Sequence, residues 1–217
     1  MSTATVPGGQ APPRDRCRRA AKREAKRAQI LAAAWELAHR DGIGAISLRE
    51  LAAMVDLRQP SLYAYFDSKD ALYDAMFAEG NRALLTFTEF DGSPMEPRAA
   101  VTEIVQRLIQ FSTEDVARHQ LLFQRPMPGF EPSAASYALA REFYERGRAG
   151  LAAAGVTGQE DMDVFTAMVA GLAHQQVAND PGGDRWVRLA PRMVEMFFED
   201  VDRRSRTSRR NAKKGAR

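Results

Sequence analysis

The sequence contains a single cysteine, Cys17, and no long hydrophobic run. One cysteine excludes an intramolecular disulfide and is typical of proteins kept in a reducing compartment. A membrane-spanning helix needs about 20 consecutive apolar residues, and no stretch of this sequence approaches that length. The N-terminal residues also lack the apolar segment that precedes a cleavage site in a secretory signal. These absences predict a cytoplasmic protein that does not enter a membrane.

Motifs that mark common enzyme classes are absent as well. Gly42 and Gly44 resemble part of a dinucleotide-binding loop, but the third glycine and the preceding strand are missing. The sequence has no Gly-x-Ser-x-Gly motif and no Gly-Lys-Ser/Thr phosphate loop. Its three histidines, His39, His119 and His174, are too scattered to form a recognisable zinc motif. The sequence therefore predicts no catalytic residue, no metal and no cofactor.

Acidic residues are almost missing from the two ends of the chain. Residues 14–27 hold eight basic and two acidic residues, and residues 203–217 hold eight basic and no acidic residues. The remaining residues 28–202 hold 15 basic and 26 acidic residues. An acidic body with basic ends predicts that any contact with nucleic acid is local. The C-terminal tail can equally serve only to keep the chain in solution.

The 217 residues are 45% hydrophobic, which is enough for one large or two small folded domains. Helical spacing of apolar residues recurs along the chain and strand-like alternation does not, so the fold class predicted is all-α. Helices are expected from Arg19 to Asp41, after Ser47, at Pro60, and over 69–89, 98–119 or 98–123, 134–154, 160–178 and 185–202. Residues 1–18 and 203–217 are predicted to be disordered basic segments.

Two short predicted helices follow the first long one and are separated by a tight connection at residues 56–58. Ser47 and Glu50 have the spacing of a capping box, in which each side chain bonds the other's backbone amide. Pro60 suits the first turn of the second short helix. This arrangement predicts a helix-turn-helix, whose second helix enters the DNA major groove.

The second short helix carries polar groups on one face and apolar groups on the other. Leu62 and Phe66 lie four residues apart and are expected to anchor it to the core. Arg58, Gln59, Ser61 and Tyr63 can each reach a phosphate or a base edge. Lys69 falls in the first turn of the next helix, where a cation is unfavourable unless a phosphate binds there. An ordinary solvated lysine is the alternative.

The helix-turn-helix resembles the DNA-binding domain of the tetracycline-repressor (TetR) family over about residues 22–80. The resemblance is carried by Ile46-Ser-Leu-Arg-Glu-Leu-Ala52, by Leu62-Tyr-Ala-Tyr-Phe66 and by Ser68-Lys-Asp-Ala-Leu72. It implies a DNA-binding domain at 19–80 and a helical ligand-binding and dimerisation domain at 81–202. It further implies a homodimer that binds a near-palindromic site on double-stranded DNA and responds to a small molecule.

The family places phosphate contacts at the positions of Tyr63 and Lys69, and base contacts or positioning roles at Arg58, Gln59 and Ser61. Three positions depart from the family: Asp56 replaces a usual Gly, Arg58 replaces a capping Ser or Thr, and Ala64 replaces a polar residue. A basic N-terminal arm is expected in the minor groove. The DNA-binding candidates are Ser47, Arg58, Gln59, Pro60, Ser61, Tyr63, Tyr65, Lys69, Arg18, Arg19, Lys22 and Arg23.

Apolar stripes on the last two predicted helices are expected to form a four-helix interface between two copies. The dimerisation candidates are Phe165, Met168, Leu172, Trp186, Met193 and Phe197. Packing within one chain is the alternative explanation of these stripes, and both can hold.

A pocket for a hydrophobic or aromatic small molecule is expected in the same domain, because ligand sites are mostly apolar with a few polar groups. The candidates for its lining are Phe111, His119, Phe123, Phe130, Tyr137, Phe143, Tyr144, His174 and Gln175. The predicted function is a transcriptional regulator, most simply a repressor released by its ligand. A protein that coats DNA through its basic ends is the rival hypothesis.

Overall fold

The computed structural model describes residues 13–90 and 94–215. These residues form nine α-helices and two short 3₁₀ helices and contain no strand, so the all-α prediction is confirmed. The helices are α1 Pro13–Asp41, α2 Leu48–Met54, α3 Gln59–Leu62, α4 Lys69–Phe87, α5 Pro97–Glu114, α6 Val116–Phe123, α7 Ala134–Ala153, α8 Gln159–Asn179 and α9 Ala190–Gly215. None of the described helices is both long and apolar enough to cross a membrane.

The chain divides into two compact units between Leu72 and Tyr73. The boundary predicted from the sequence lies after Gly80, which is inside α4. Helix α4 begins in the N-terminal unit and continues into the C-terminal unit, so its apolar periodicity carries no sign of the division.

The N-terminal unit packs α1, α2 and α3 around a small apolar core. Ile30 and Leu37 of α1 are fully or almost fully buried, as are Leu51 of α2 and Leu62 of α3. Ser47 caps α2, because its hydroxyl accepts from the Glu50 amide at 3.4 Å. The reciprocal half of the predicted capping box is replaced by an ion pair, since the Glu50 carboxylate lies 2.6 Å from Arg40.

Helix α3 is shorter than predicted and ends at Leu62. Tyr63 and Tyr65 lie in the turns that follow it, where the amides of Ala64 and Tyr65 bond the carbonyls of Ser61 and Leu62. Each bond joins the amide of residue i+3 to the carbonyl of residue i, as in a 3₁₀ helix, and tightens the chain after a single helical turn. Phe66 is buried, as predicted for an anchor residue.

The helical parts of the two basic ends are longer than predicted. Residues 13–18 belong to α1 and residues 203–215 belong to α9, so the prediction of disorder is wrong for both segments. Residues 1–12 and 216–217 lie outside the described residues. Arginine, lysine and alanine are good helix formers, and the pairs that Arg203 and Arg204 form with Asp200 extend the helix past Asp202.

The C-terminal unit is built around α5, which packs against α7, α8 and α9. Its core joins Val105 and Ile109 of α5 to Val169 of α8 and Val194 of α9. The predicted single helix over 98–123 is divided at Asp115, which has an extended φ of −139° and whose side chain accepts from the Arg118 amide at 2.8 Å. Asp115 thereby ends α5 and caps α6.

The connection from α8 to α9 is organised by Gln176, which is fully buried. Its side-chain nitrogen donates to the Gly183 carbonyl at 3.1 Å, and its side-chain oxygen accepts from the amides of Trp186 and Val187 at 2.7 and 3.1 Å. One buried amide therefore satisfies several backbone groups of a loop, which explains why it tolerates full burial. The predicted start of the last helix at residue 185 lies in this loop, and α9 begins at Ala190.

Candidate functional site

The N-terminal unit exposes a contiguous polar segment at the start of α3. Arg58, Gln59, Pro60, Ser61 and Tyr63 are all exposed, whereas Leu62 between them is buried. The segment leaves the core because Arg58 is extended, with a φ of −84°, and Pro60 starts the helix. Guanidinium, amide and hydroxyl groups grouped in this way can bond phosphates and base edges.

The remaining predicted DNA contacts lie beside this segment in the sequence. Ser47 is exposed at the cap of α2, and Tyr65 is half-buried after α3. Lys69 is half-buried at the first position of α4, where the Ser68 hydroxyl accepts from the Ala71 amide at 3.0 Å. Ser68 thus satisfies one amide of that helix end, and the dipole of the helix favours an anion there.

The basic residues before α2 lie on a helix and not on an extended arm. Arg18, Arg19 and Lys22 are exposed on α1. A helix is about 10–12 Å wide, whereas the minor groove of DNA is about 6 Å wide. The residues from Pro13 onward therefore do not form a separate arm before the first helix, and their contact with the minor groove stays a prediction.

Arg23 lies on the same helix but faces the helix-turn-helix. Its guanidinium donates to the Ala64 carbonyl at 3.0 Å. Lys26 donates to the Val55 carbonyl at 2.6 Å, and Arg27 donates to the Tyr65 carbonyl while its guanidinium lies 4.4 Å from the centroid of the Phe66 ring. Three cations of α1 therefore cap the carbonyls that follow α2 and α3. In this position Arg23 bonds the turn that follows α3.

The C-terminal unit contains a cavity of about 570 Å³, a size that accommodates a drug-sized molecule. Most of its wall is apolar and comes from α4, α5, α6, α7 and α8. Six of the nine predicted ligand residues line it. They are His119, Phe123, Tyr137, Phe143, Tyr144 and His174.

The other three predicted ligand residues lie elsewhere. Phe111 is buried against Phe87, with ring centroids 5.7 Å apart, and Phe130 packs edge-on against Tyr73. Gln175 is exposed on α8 and bonds Asn179. A helix turns its residues in different directions, and aromatic character alone does not show which residues face the cavity.

Several polar groups of the cavity wall were not predicted. Asn81, Ser112, Gln124 and Thr166 all line it. The sequence does carry a signal for Asn81, because it is a polar residue four positions after Phe77 and so shares its face of the helix. Gln124 had none, since it follows the last residue of α6 and its direction depends on how that helix ends.

Gln124 joins two histidines at one corner of the cavity. Its side-chain nitrogen lies 3.2 Å from Nε2 of His119 and 3.4 Å from Nδ1 of His174. Burial, together with the nearby His174, lowers the pKa of His119 below its ordinary value, so that this ring is neutral at neutral pH. No Asp, Glu, Lys or Arg is among the residues that line the cavity.

The predicted dimerisation residues divide into core and surface. Phe165 and Phe197 are buried within the unit with ring centroids 4.8 Å apart, so the assignment of these two to a surface interface is wrong. Met168, Leu172, Trp186 and Met193 are half-buried. Two exposed residues extend the apolar surface of α8 and α9, and the sequence analysis missed both: Val164 is 48% exposed and Met196 is 55% exposed.

Residues 30–76 match a family described as bacterial regulatory proteins, tetR family. No curated protein matches the sequence. Solved structures with a similar fold include a TetR-like transcriptional regulator from Rhodococcus sp. RHA1, with 20% identity, a TM-score of 0.58, and coverage of 78% of this chain and 93% of that one.

Two further structures resemble the chain, one with a named function and one with a named ligand. The fatty acid degradation regulator FadR from Bacillus halodurans has 12% identity, a TM-score of 0.64, and coverage of 79% of this chain and 94% of its own. RolR, solved in complex with the ligand resorcinol, has 19% identity, a TM-score of 0.51, and coverage of 82% and 89%. At these identities the likeness shows a shared fold.

Proposed function

Because residues 30–76 match the model of the tetR family of bacterial regulatory proteins, we propose that the protein is a member of that family and a sequence-specific transcriptional repressor. In this proposal the repressor leaves its operator when a small hydrophobic or aromatic molecule binds in the cavity. The observation that carries the proposal is the exposed polar segment 58–63, which lies at the recognition position of a family-matched helix-turn-helix.

Different side chains are proposed to contact the bases and the phosphates of the DNA. Gln59 and Arg58 are exposed at the start of α3 and are proposed to read base edges in the major groove. Tyr63 and Lys69 are proposed to bond phosphates on either side, which fixes the register of the helix without reading sequence. Arg18, Arg19 and Lys22 are exposed on α1 and are proposed to add phosphate contacts.

A homodimer is proposed to present two such helices to successive major grooves, about 34–36 Å apart. The surface that supports this proposal is the outer side of α8 and α9. Val164 and Met196 are exposed there, and Met168, Leu172 and Met193 are half-buried. A second copy placed on this surface would form a four-helix interface and remove these apolar groups from water.

Release from DNA is proposed to pass through α6. This helix contributes His119, Leu122 and Phe123 to the cavity wall. Its Arg118 lies 3.3 Å from Glu79 of α4 and packs beside Gly80. A ligand that displaces α6 would push on α4, the helix that begins at Lys69. The ligand needs only to bind one of two arrangements more tightly than the other.

The DNA-binding assignment predicts different effects for Lys69→Ala and Gln59→Ala. Lys69→Ala should weaken binding about equally on all sequences. It should lower the slope of log affinity against log salt by roughly 2, because the dimer loses one phosphate contact in each subunit. Gln59→Ala should change the preferred base at one position of each half-site, with a cost of about 1–3 kcal/mol per half-site on the cognate DNA. Binding selections with randomised operators at several salt concentrations measure both effects.

Arg141→Ala is the matched control, because Arg141 is exposed on α7 in the C-terminal unit. It should leave both the affinity and the sequence preference unchanged. Full-strength operator binding by Lys69→Ala with an unchanged salt slope would show that Lys69 does not bind a phosphate.

A further inference from the structure

Three polar side chains meet at one corner of the described cavity wall: His119, Gln124 and His174. Contacts through the Gln124 side chain connect two helices there. His119 lies on α6 and His174 on α8, and the Gln124 amide lies within hydrogen-bond distance of a ring nitrogen of each. A glutamine amide nitrogen carries two donors, one for each ring. The corner is therefore a specific arrangement, with the Gln124 side chain placed by both histidines.

This arrangement leaves hydrogen-bonding capacity unused. A neutral His174 that accepts at Nδ1 carries its proton on Nε2, and neither this donor nor the side-chain oxygen of Gln124 bonds any described residue. Both side chains are exposed and line the cavity. His119 is 4% exposed, and its Nδ1 is buried without a partner among the described residues.

The rest of the wall restricts the charge of the ligand. Among the described residues that line the cavity, none is Asp, Glu, Lys or Arg, and most are apolar. The lining includes six aromatic rings, against which a flat aromatic body can pack: Phe77, Phe123, Tyr137, Phe143, Tyr144 and Phe165. Transfer of an ion from water into such surroundings is unfavourable without a countercharge. The wall therefore favours an uncharged molecule with a mainly apolar body.

We infer that the ligand is an uncharged aromatic molecule with a hydroxyl group that binds between His174 and Gln124. The hydroxyl accepts from Nε2 of His174 and donates to the side-chain oxygen of Gln124, since a hydroxyl is both donor and acceptor. His119 is a positioning residue that holds Gln124. The inference rests on the proposed function only in taking this cavity as the ligand site.

Three naphthalene derivatives of similar size separate the relevant properties. They are 2-naphthol, 2-methylnaphthalene and 2-naphthoate, titrated against the full-length protein at pH 7.5 with a direct binding readout such as fluorescence. We expect 2-naphthol to bind roughly three- to tenfold more tightly than 2-methylnaphthalene, as one or two hydrogen bonds would give. The anion 2-naphthoate should bind least tightly. Apolar transfer alone would favour the methyl compound over the hydroxyl compound.

Gln124→Leu should reverse the order of 2-naphthol and 2-methylnaphthalene. Gln110→Leu is the matched control, because Gln110 is exposed on α5 and does not line the cavity. It should keep the order of the unaltered protein. The comparison of the three probes on the unaltered protein needs no variant to fold, so it decides the inference by itself.

Tighter binding of 2-methylnaphthalene or 2-naphthoate than of 2-naphthol by the unaltered protein would overturn the inference, as would no binding of any of the three. An operator-binding measurement with each probe is made separately. Binding of 2-naphthol that leaves operator affinity unchanged would contradict the release step of the proposed function and still support the assigned ligand class. If the probes release the operator but 2-naphthol is not preferred, the release step is supported and the assigned ligand class is contradicted.

Discussion

Asp56 lies at the tightest point of the turn between α2 and α3, where its φ is 55°. This left-handed conformation costs most residues about 1–2 kcal/mol, and aspartate tolerates it better than most. The family usually has glycine there, and we expect the turn to form with aspartate in its place. The observed backbone agrees with that expectation, because the turn is formed and Leu57 bonds back to the Ala52 carbonyl at 2.9 Å.

His119 makes stability depend on pH at the scale of one residue. Its pKa is lowered in the folded protein, mainly by burial and also by the electrostatic interaction with His174. In the unfolded chain the ring has its ordinary pKa of about 6.5. The unfolded chain therefore binds a proton more readily as the pH falls, so this residue's contribution to stability is present above about pH 6.5 and is lost below it.

The unaltered protein should accordingly lose more unfolding free energy than His119→Asn when the pH is lowered from 7.5 to 5. Asparagine keeps a polar amide and does not titrate in this range. Denaturant unfolding at a series of pH values measures the difference. Parallel curves for the two proteins would mean that the folded state does not disfavour protonation of His119.

At the scale of single elements, the contacts of α1 explain what sequence patterns missed. The amphipathic pattern predicted the buried side of this helix correctly, with Ile30 and Leu37 in the core. It did not predict that Arg23, Lys26 and Arg27 would bond carbonyls of residues 29–41 positions further along the chain. A basic residue looks the same in a sequence whether it faces phosphate, solvent or a helix end, so these roles appear only in the folded unit.

The contact between α4 and α6 predicts the effect of a side chain at Gly80. A Cβ atom there would lie 3.2 Å from Cγ of Arg118 and 3.3 Å from a methyl of Leu122. Gly80→Val should therefore displace α6, lower the unfolding free energy by about 1–3 kcal/mol more than a matched helix variant, and weaken operator binding without ligand. Denaturant unfolding and operator titration measure the two effects.

Gly150→Val is that matched variant, because Gly150 lies within α7 and a Cβ added there meets nothing within 4 Å. It carries the same cost of a branched side chain in a helix. Equal behaviour of the two valine variants would show that α6 accommodates the added group and that Gly80 does not couple α6 to α4.

At the scale of the whole molecule, the proposed homodimer depends on the exposed apolar side of α8 and α9. Met196 is 55% exposed on α9. Met196→Glu would place a charge inside the interface, and we expect it to weaken dimerisation by at least about tenfold and operator binding with it. Analytical ultracentrifugation over a range of concentrations measures the first effect.

The control is Ala152→Glu, which adds the same charge at an exposed position of α7. It should leave the association of the protein unchanged. A Met196→Glu protein that sediments like the unaltered one would show that the subunits, if they pair, do so through another surface.

The fold class and the helix-turn-helix were predictable because each depends on local signals: apolar spacing, the Ser47 cap, Pro60, and the family motif ending at Leu72. Six residues of the cavity wall were predictable from their aromatic or histidine character. The corner at Gln124 and the burial of Phe165 and Phe197 were not, because they depend on which side of each helix meets its neighbours. The helix ends at residues 13 and 215 were not predicted, because the high charge of both terminal segments was interpreted as disorder.

The most direct test of sequence-specific binding is selection of bound fragments from the source genome by the purified protein, at about 0.15 M salt. If the protein is a dimeric repressor, fragments that share one near-palindromic site should be enriched, with half-sites about one helical turn apart. Addition of a bound ligand should reduce the recovery of these fragments. Uniform recovery of all fragments would contradict the account and favour a protein that coats DNA through its basic ends.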